Sequence, residues 1–172
     1  MKNWIKPLKR MGACAAALEW CEHYESLDKA WAVCPRGNWM LWLLGKLSGN
    51  PESASRKKLV LVTCQCARLS LPYVKVGELR PLRAIEIAEA WARGDDGITL
   101  EDVRNASHAV CAASAASDAD AFAATYADTY ADTYAGALAK FADIVRIIFP
   151  DAPTQECLAE SPLGKGENNG ES

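Results

Sequence analysis

The sequence predicts an all-α fold: a single-domain bundle of about six or seven helices, with a long Ala/Tyr-rich last helix and a disordered C-terminal tail. Three observations carry that reading. Thirty of the 172 residues are alanine, 16 of them between Ala106 and Ala142, and alanine is the best helix former. Apolar residues recur three and four positions apart along most of the chain, whereas few runs alternate with the period of two that a strand needs. With a tail of some 20 residues set aside, about 150 remain, enough to bury roughly 68–70% of the surface an unfolded chain exposes, so the core needs no disulfide or metal. The expected limits are residues 1–149 for the helical domain and 150–172 for a flexible tail.

The first helix is expected over residues 11–24, with Ala13, Ala17, Trp20 and Tyr24 on one stripe and Cys14, Leu18 and Cys21 beside it. Ser26 reads as the N-cap of a short second helix carrying Leu27, Ala30, Trp31 and Cys34 at i, i+3, i+4 and i+7, ended by Pro35 and Gly37. Asn38 then caps Trp39-Met40-Leu41-Trp42-Leu43-Leu44, which is apolar all round and so is expected to be the most buried helix. Asn50-Pro51 reads as N-cap and first-turn proline of a helix to about Leu69, with Leu59, Val62, Cys66 and Leu69 as its core stripe. Leu71-Pro72 and Gly77 mark a loop. Pro81 opens the next helix, whose inner face is Ala84, Ile87, Ala88 and Trp91, with a Glu89–Arg93 pair outside and Gly94 as the stop. Thr99 and Asp102 form a capping box ahead of Val103, Ala106, Val110 and Ala113.

The last helix contains a repeat. Thr125-Tyr126-Ala127-Asp128 recurs as Thr129-Tyr130-Ala131-Asp132 and, with one change, as Thr133-Tyr134-Ala135-Gly136. Phe122, Tyr126, Tyr130, Tyr134, Leu138, Phe141, Val145 and Ile148 then follow one another at a mean spacing close to the 3.6 residues of a helical turn, so one straight face holds them all. After Pro150 the chain is mostly polar and rich in Pro and Gly, which reads as a tail whose removal after Phe149 leaves the melting temperature nearly unchanged.

No stretch approaches the 18 or so apolar residues of a membrane span, and Met1–Arg10 is interrupted by Lys2, Lys6, Pro7, Lys9 and Arg10, which argues against a signal peptide. The seven cysteines, an odd number, therefore read as reduced thiols of a cytoplasmic protein. The net charge of −3 conceals a division: residues 1–93 sum to +7 and residues 94–172 to −10. Basic and acidic helices of one bundle attracting each other is the plain explanation; a polarised surface that steers a charged partner is the other.

Motifs that carry chemistry are weak. Cys64-x-Cys66 is too closely spaced for a metal knuckle, and its side chains point about 200° apart on a helix. His108 and Cys111 stand at i and i+3, but among alanines rather than in an electropositive cleft. Ser26-Leu27-Asp28-Lys29 fits Ser-x-x-Lys without its companion motifs, and Ser26 already caps a helix. There is no Gly-rich phosphate loop and no Ser/His/Asp set, so neither an enzyme, a cofactor nor a metal is expected.

Surfaces remain. Tyr126, Tyr130 and Tyr134, with Asp128 and Asp132 beside them, read as core, as a homodimer seam or as a site for a protein partner. Trp31, Trp39 and Trp42 read as core, with the alternative that one indole reaches the surface as an anchor. Arg56, Lys57 and Lys58 with Trp39 and Trp42 supply the ingredients of a basic, Trp-lined cavity for a nucleotide. The basic clusters lack aromatic interleaving or a nucleic-acid motif, which sets nucleic-acid binding aside.

The run Ala13-Cys14, Ala17-Leu18-Glu19-Trp20, Ala30-Trp31, Cys34, Gly37 and Trp39-Met40-Leu41-Trp42-Leu43, followed by Arg80-Pro81, Ala84-Ile85-Glu86, Ala88-Glu89, Trp91 and Asp143-Ile144-Val145-Arg146, resembles the immunity-protein-five-like family, small helical proteins of bacteria and their phages. The resemblance covers roughly residues 11–149, and its specific part is the Trp-Met-Leu-Trp segment with the upstream Ala-Trp and Cys. It implies a non-enzymatic inhibitory binding protein, phage or prophage encoded, that neutralises a toxin or a host defence component, and it brings no functional residues with it. In the anti-defence case the acidic helix with Asp118, Asp120, Asp128, Asp132 and Asp143 imitates nucleic-acid phosphates, as an anti-CRISPR inhibitor can. The second reading is a sponge that sequesters a nucleotide immune signal.

Overall fold

The computed structural model describes the backbone of residues 1–116 and 127–159, and the side chains of residues 1–109 and 135–159. The described residues form nine α-helices and no strand: α1 (Lys6–Arg10), α2 (Ala15–Cys21), α3 (Leu27–Val33), α4 (Gly37–Leu47), α5 (Ala54–Arg68), α6 (Arg80–Arg93), α7 (Leu100–Ala116), α8 (Ala127–Ile148) and α9 (Gln155–Ala159). Single 3-10 turns at Asn3–Ile5 and Leu71–Tyr73 complete them. Helices α4, α5 and α8 pack on one another at the centre, α6 lies against α5 and carries α7 on its other side, and α9 docks on α1.

Local signals set most boundaries. The Ser26 hydroxyl accepts from the Lys29 amide at 3.3 Å and starts α3. Thr99 and Asp102 make the reciprocal capping box, 2.8 Å from the Thr99 amide to the Asp102 carboxylate and 3.2 Å from the Asp102 amide to the Thr99 hydroxyl. Gly94, at φ 83°, ends α6 in the left-handed conformation that glycine adopts without steric cost.

Four expectations change. The helix expected over 11–24 is broken at Gly12, whose φ is 88°: α1 precedes it, and extended Cys14 precedes α2. Asn38 lies inside α4, where Arg36 holds the N-cap position without a side-chain bond. Asn50 instead closes a turn, accepting from the Glu52 amide at 2.9 Å, and Ser53 caps α5 by accepting from the Arg56 amide at 3.2 Å. Glu89 reaches across to α5, where Arg68 donates to it twice, at 2.8 and 2.7 Å, while Arg93 pairs with Asp95. Ion pairs between helices need partners that sequence spacing within one helix does not reveal.

The core joins Trp4, Ile5, Leu8 and Met11 of the N-terminal segment to Trp31, Met40, Leu43, Leu59, Val62 and Val145. Helix α4, expected to be buried all round, buries Met40, Leu43 and Leu44 but leaves Trp39, Leu41 and Trp42 half-exposed. Of the expected aromatic stripe, Leu138 and Val145 are buried and Phe141 and Ile148 half-buried; Phe122 and Tyr126 lie outside the described residues, as do the side chains of Tyr130 and Tyr134. Leu69, expected in the α5 core stripe, is 39% exposed.

The Ala/Tyr-rich helix is not the last one. The chain turns after α8, Ala152 packs against the core, and α9 places Leu158 at 2% exposure against the N-terminal segment. Residues 150–159, the first ten of the expected tail, thus reach the core through half-buried Ala152 and buried Leu158 while most of the others are exposed, and residues 160–172 lie outside the described residues. This reverses the expectation for truncation. Ending the chain after Phe149 removes buried Leu158, which stabilises by roughly 1.5–3 kcal/mol, and at about 2–4 °C per kcal/mol for a chain of this size the melting temperature falls by about 3–12 °C. An unchanged melting curve would mean that α9 contributes nothing to the core.

Candidate binding site

Arg56, Lys57 and Lys58 occupy one turn of α5 but point to three places. Arg56 donates to the carbonyls of Gly45 at 3.2 Å and Gly49 at 3.3 Å, and the Ser53 and Ser55 hydroxyls donate to the Ser48 carbonyl at 2.6 and 2.9 Å. Together they satisfy the carbonyls left open where α4 ends. Lys57 lies 5.2 Å from the centre of the Trp91 ring and 3.8 Å from the Glu52 carboxylate, and Lys58 lies 4.4 Å over Phe149. Trp39 and Trp42 line an apolar cavity elsewhere, between α2, α3 and α4, with Arg36 over Trp39 and Lys46 over Trp42. The five residues suggested for a nucleotide site are thus not brought together around one cavity.

Tyr126 lies outside the described residues, and the side chains of Tyr130, Tyr134, Asp128 and Asp132 lie outside the described side chains. So does Cys111, the suggested partner of exposed His108.

Burial suppresses thiol chemistry at Cys21, Cys34, Cys64 and Cys66, whereas Cys14 and Cys157 are exposed. It pushes the Cys21, Cys64 and Cys66 thiols from the ordinary 9.0 up to about 11, with Cys34 and Glu22 adding to the effect at Cys21 and Glu89 at Cys64. These groups are neutral near pH 7, and a neutral thiol is a poor nucleophile. Their folded-state values exceed their unfolded ones, so their contribution to stability is whole below pH 9 and is lost as pH rises from 9 towards 11. Chemical unfolding at pH 7.5, 9.5 and 10.5 is expected to show a falling midpoint, and replacing Cys21, Cys64 and Cys66 with alanine is expected to flatten the decline. The Ser26 hydroxyl oxygen accepts from the Lys29 amide, and the Lys29 ammonium is engaged by Glu25, so Ser-x-x-Lys forms no nucleophile–base pair. No group of three metal-ligating side chains occurs among the described residues.

Among the described residues, four exposed large apolar side chains fall in or beside the connection between α5 and α6, while Met1, Val33 and Ile147 are exposed elsewhere. Leu69 is 39% exposed, Tyr73 81%, Val76 99% and Leu79 52%. Pro72 and Gly77, whose φ is 89°, shape this segment into turns rather than helix, so its side chains have no inner face to share. Beside this ridge runs a groove of about 350 Å³. Its floor is α6, where Pro81, Ala84, Ile85 and Ala88 fall at i, i+3, i+4 and i+7, and its walls are Cys64 and Ala67 of α5 and Val103 of α7. The alanines keep the floor low, and α5 and α7 flank α6 without closing over it. A periodicity search passes over the ridge because it is aperiodic; several large apolar residues between turn-forming Pro72 and Gly77 are the signal that could have found it.

Comparison of the chain with protein-family models, with curated proteins and with solved structures gives no match.

Proposed function

We propose that this chain is a non-enzymatic, protein-binding inhibitor of the immunity or anti-defence kind, acting in the cytoplasm and carried by a phage or prophage. The observation that carries the binding reading is the ridge of Leu69, Tyr73, Val76 and Leu79 beside the apolar groove of α6. Exposed apolar residues grouped in one segment are characteristic of interaction sites when they form a patch, and tyrosine, here Tyr73, is one of the residue types that most often anchor one. The inhibitor reading rests on the resemblance of the Ala-Trp, Cys and Trp-Met-Leu-Trp segments to the immunity-protein-five-like proteins. Under this reading Asp128 and Asp132, with Tyr126, Tyr130 and Tyr134 of the sequence repeat, remain a second candidate for partner contact. A toxin and a defence component are the two classes of target, and acidic mimicry belongs to the second. The nucleotide-sponge alternative has less support, because Arg56, Lys57 and Lys58 already serve α4, Trp91 and Phe149.

The test is co-expression with the products of neighbouring genes, scored by relief of growth arrest, and with a CRISPR system, scored by phage plating. Wild-type chain is expected to relieve one of these inhibitions. Val76→Asp combined with Tyr73→Ser is expected to lose that effect by tenfold or more while keeping its helical circular dichroism, since exposed substitutions usually shift stability by less than about 0.5 kcal/mol. Relief in neither assay overturns the inhibitor reading, and full relief by the double variant moves the interface off the ridge.

A further inference from the structure

We propose that α2 is a latched lid: a short helix that opens from the body of the protein as a unit while the rest stays folded, with Lys2 as the latch that holds it shut.

The unit has little of its own to keep it in place. A helix of fewer than about 12 residues is marginal in water by itself, and α2 has seven, so it depends on what it touches. Of those residues only Cys21 is buried; Ala15, Ala16 and Glu19 are exposed, and Ala17, Leu18 and Trp20 are half-buried. The inner face of α2 is also one wall of an apolar cavity whose other walls belong to α3 and α4, so its packing on the core is incomplete. Sparse burial of apolar side chains is what marks the segments of a protein that open locally.

The two ends of α2 are held differently. On the N-terminal side α1 is closed off by the Gly12 amide donating to the Lys9 carbonyl and the Ala13 amide to the Leu8 carbonyl, both at 3.0 Å, with Gly12 at φ 88°. These bonds fix the end of α1 and leave the next residue, exposed and extended Cys14, as the joint; it makes no side-chain cap bond to α2. On the C-terminal side the Lys2 ammonium donates to the carbonyls of Glu22 and Tyr24, both at 2.7 Å, groups that the end of the helix leaves open. Lys2 is itself rooted, because nearby Trp4 and Ile5 are 5% and 0% exposed. One charged group thus ties the free end of α2 to a fixed part of the core. Trp20 packs on Tyr24 with ring centres 4.6 Å apart and moves with it, so the seam that parts is between Trp20 and Trp39, at 5.9 Å. Opening uncovers Trp39 and the cavity walls of Trp31 and Leu43, and Lys2 sets how often that happens. The lid is independent of the Leu69–Leu79 ridge, so the two stand or fall separately.

Cys21, buried on the lid, reports its opening, and Cys66 of α5, 3% exposed, reports the body. The full chain carrying Cys14→Ala, which keeps label off the joint, is pulsed with iodoacetamide at pH 8 over urea concentrations below the global transition, and each site is read by mass spectrometry of its peptide. Cys21 is expected to label at least tenfold faster than Cys66 and at a rate nearly independent of urea, because a local opening exposes little surface. Lys2→Met keeps the stem of the side chain and removes the ammonium; it is expected to raise the Cys21 rate at least tenfold and to leave the Cys66 rate within twofold. Lys9→Met, which removes an exposed cation of α1, is expected to change neither rate. Equal rates with equal urea dependence at Cys21 and Cys66 in the parent chain overturn the proposal, since α2 then opens only with the whole fold. An unchanged Cys21 rate in a folded Lys2→Met chain, or an equal acceleration at Cys66, removes Lys2 as the latch and overturns it as well.

Discussion

Gly37→Ala is expected to destabilise the fold by about 3 kcal/mol or more, the upper part of the range for overpacking a core, and so to lower the melting temperature by about 6–12 °C. A methyl group built on Gly37 would stand 2.4 Å from the Ala142 amide nitrogen and 2.4 Å from the Phe141 Cβ. Two of the nearest atoms, the Ala142 nitrogen and the Phe141 carbonyl carbon, are backbone, so no rotamer change makes room and the two helices must part. The glycine is needed here for closeness: its φ lies in the ordinary range, and it lets the start of α4 cross α8 at Ala142, which is 0% exposed. Gly45→Ala in the same helix is the control. Its added methyl would meet only Leu59 Cδ2, at 4.0 Å, so the better helix propensity of alanine should make it neutral or stabilising by up to about 1 kcal/mol. Circular dichroism melts of both variants decide the matter, and similar curves for the two would mean that α4 and α8 do not cross at this distance.

These two glycines show where sequence reading stops. Ser26, Gly94 and the Thr99–Asp102 box are legible because each satisfies backbone groups within a few residues, and such needs are written locally. The requirement at Gly37 comes from Phe141 and Ala142, more than 100 positions away, and nothing beside Gly37 separates it from Gly45. The packing of Leu158 is hidden for a related reason: Gln155–Ala159 is too short for helical periodicity to register, and its surroundings are rich in proline and charge. Trp39 and Trp42 were legible as aromatic residues of one helix, but their separation from Arg56, Lys57 and Lys58 depends on how α4 and α5 turn against each other. Leu69 looked like a core position by spacing and lies at the edge because α5 ends at Arg68.

The second large effect is expected at Arg146. Its guanidinium donates to the carbonyls of Cys34 at 2.8 Å and Trp31 at 3.4 Å, and to the Asp143 carboxylate at 2.7 Å, so α8 holds the open C-terminal end of α3. The Trp31 indole answers by donating to the Phe149 carbonyl at 3.1 Å. Arg146→Ala leaves carbonyls of buried Trp31 and Cys34 without a charged donor, and hydrogen bonds to charged groups contribute about 1.5–3 kcal/mol each; a loss of about 3 kcal/mol is expected. Arg146→Lys should recover less than half of it, because a single ammonium lacks the planar fork that serves the carbonyls and the carboxylate at once. Trp31→Phe keeps most of the apolar volume and gives up the Phe149 bond, for about 1 kcal/mol plus the packing lost with the indole. If the two contacts act as one clasp, the double variant costs less than the sum, since releasing the end of α8 removes both contacts together. Urea unfolding of the four proteins measures that coupling. Strict additivity would make the contacts independent, and a loss below about 0.5 kcal/mol in Arg146→Ala, the range of an ordinary exposed substitution, would show that α3 is held by its apolar face alone.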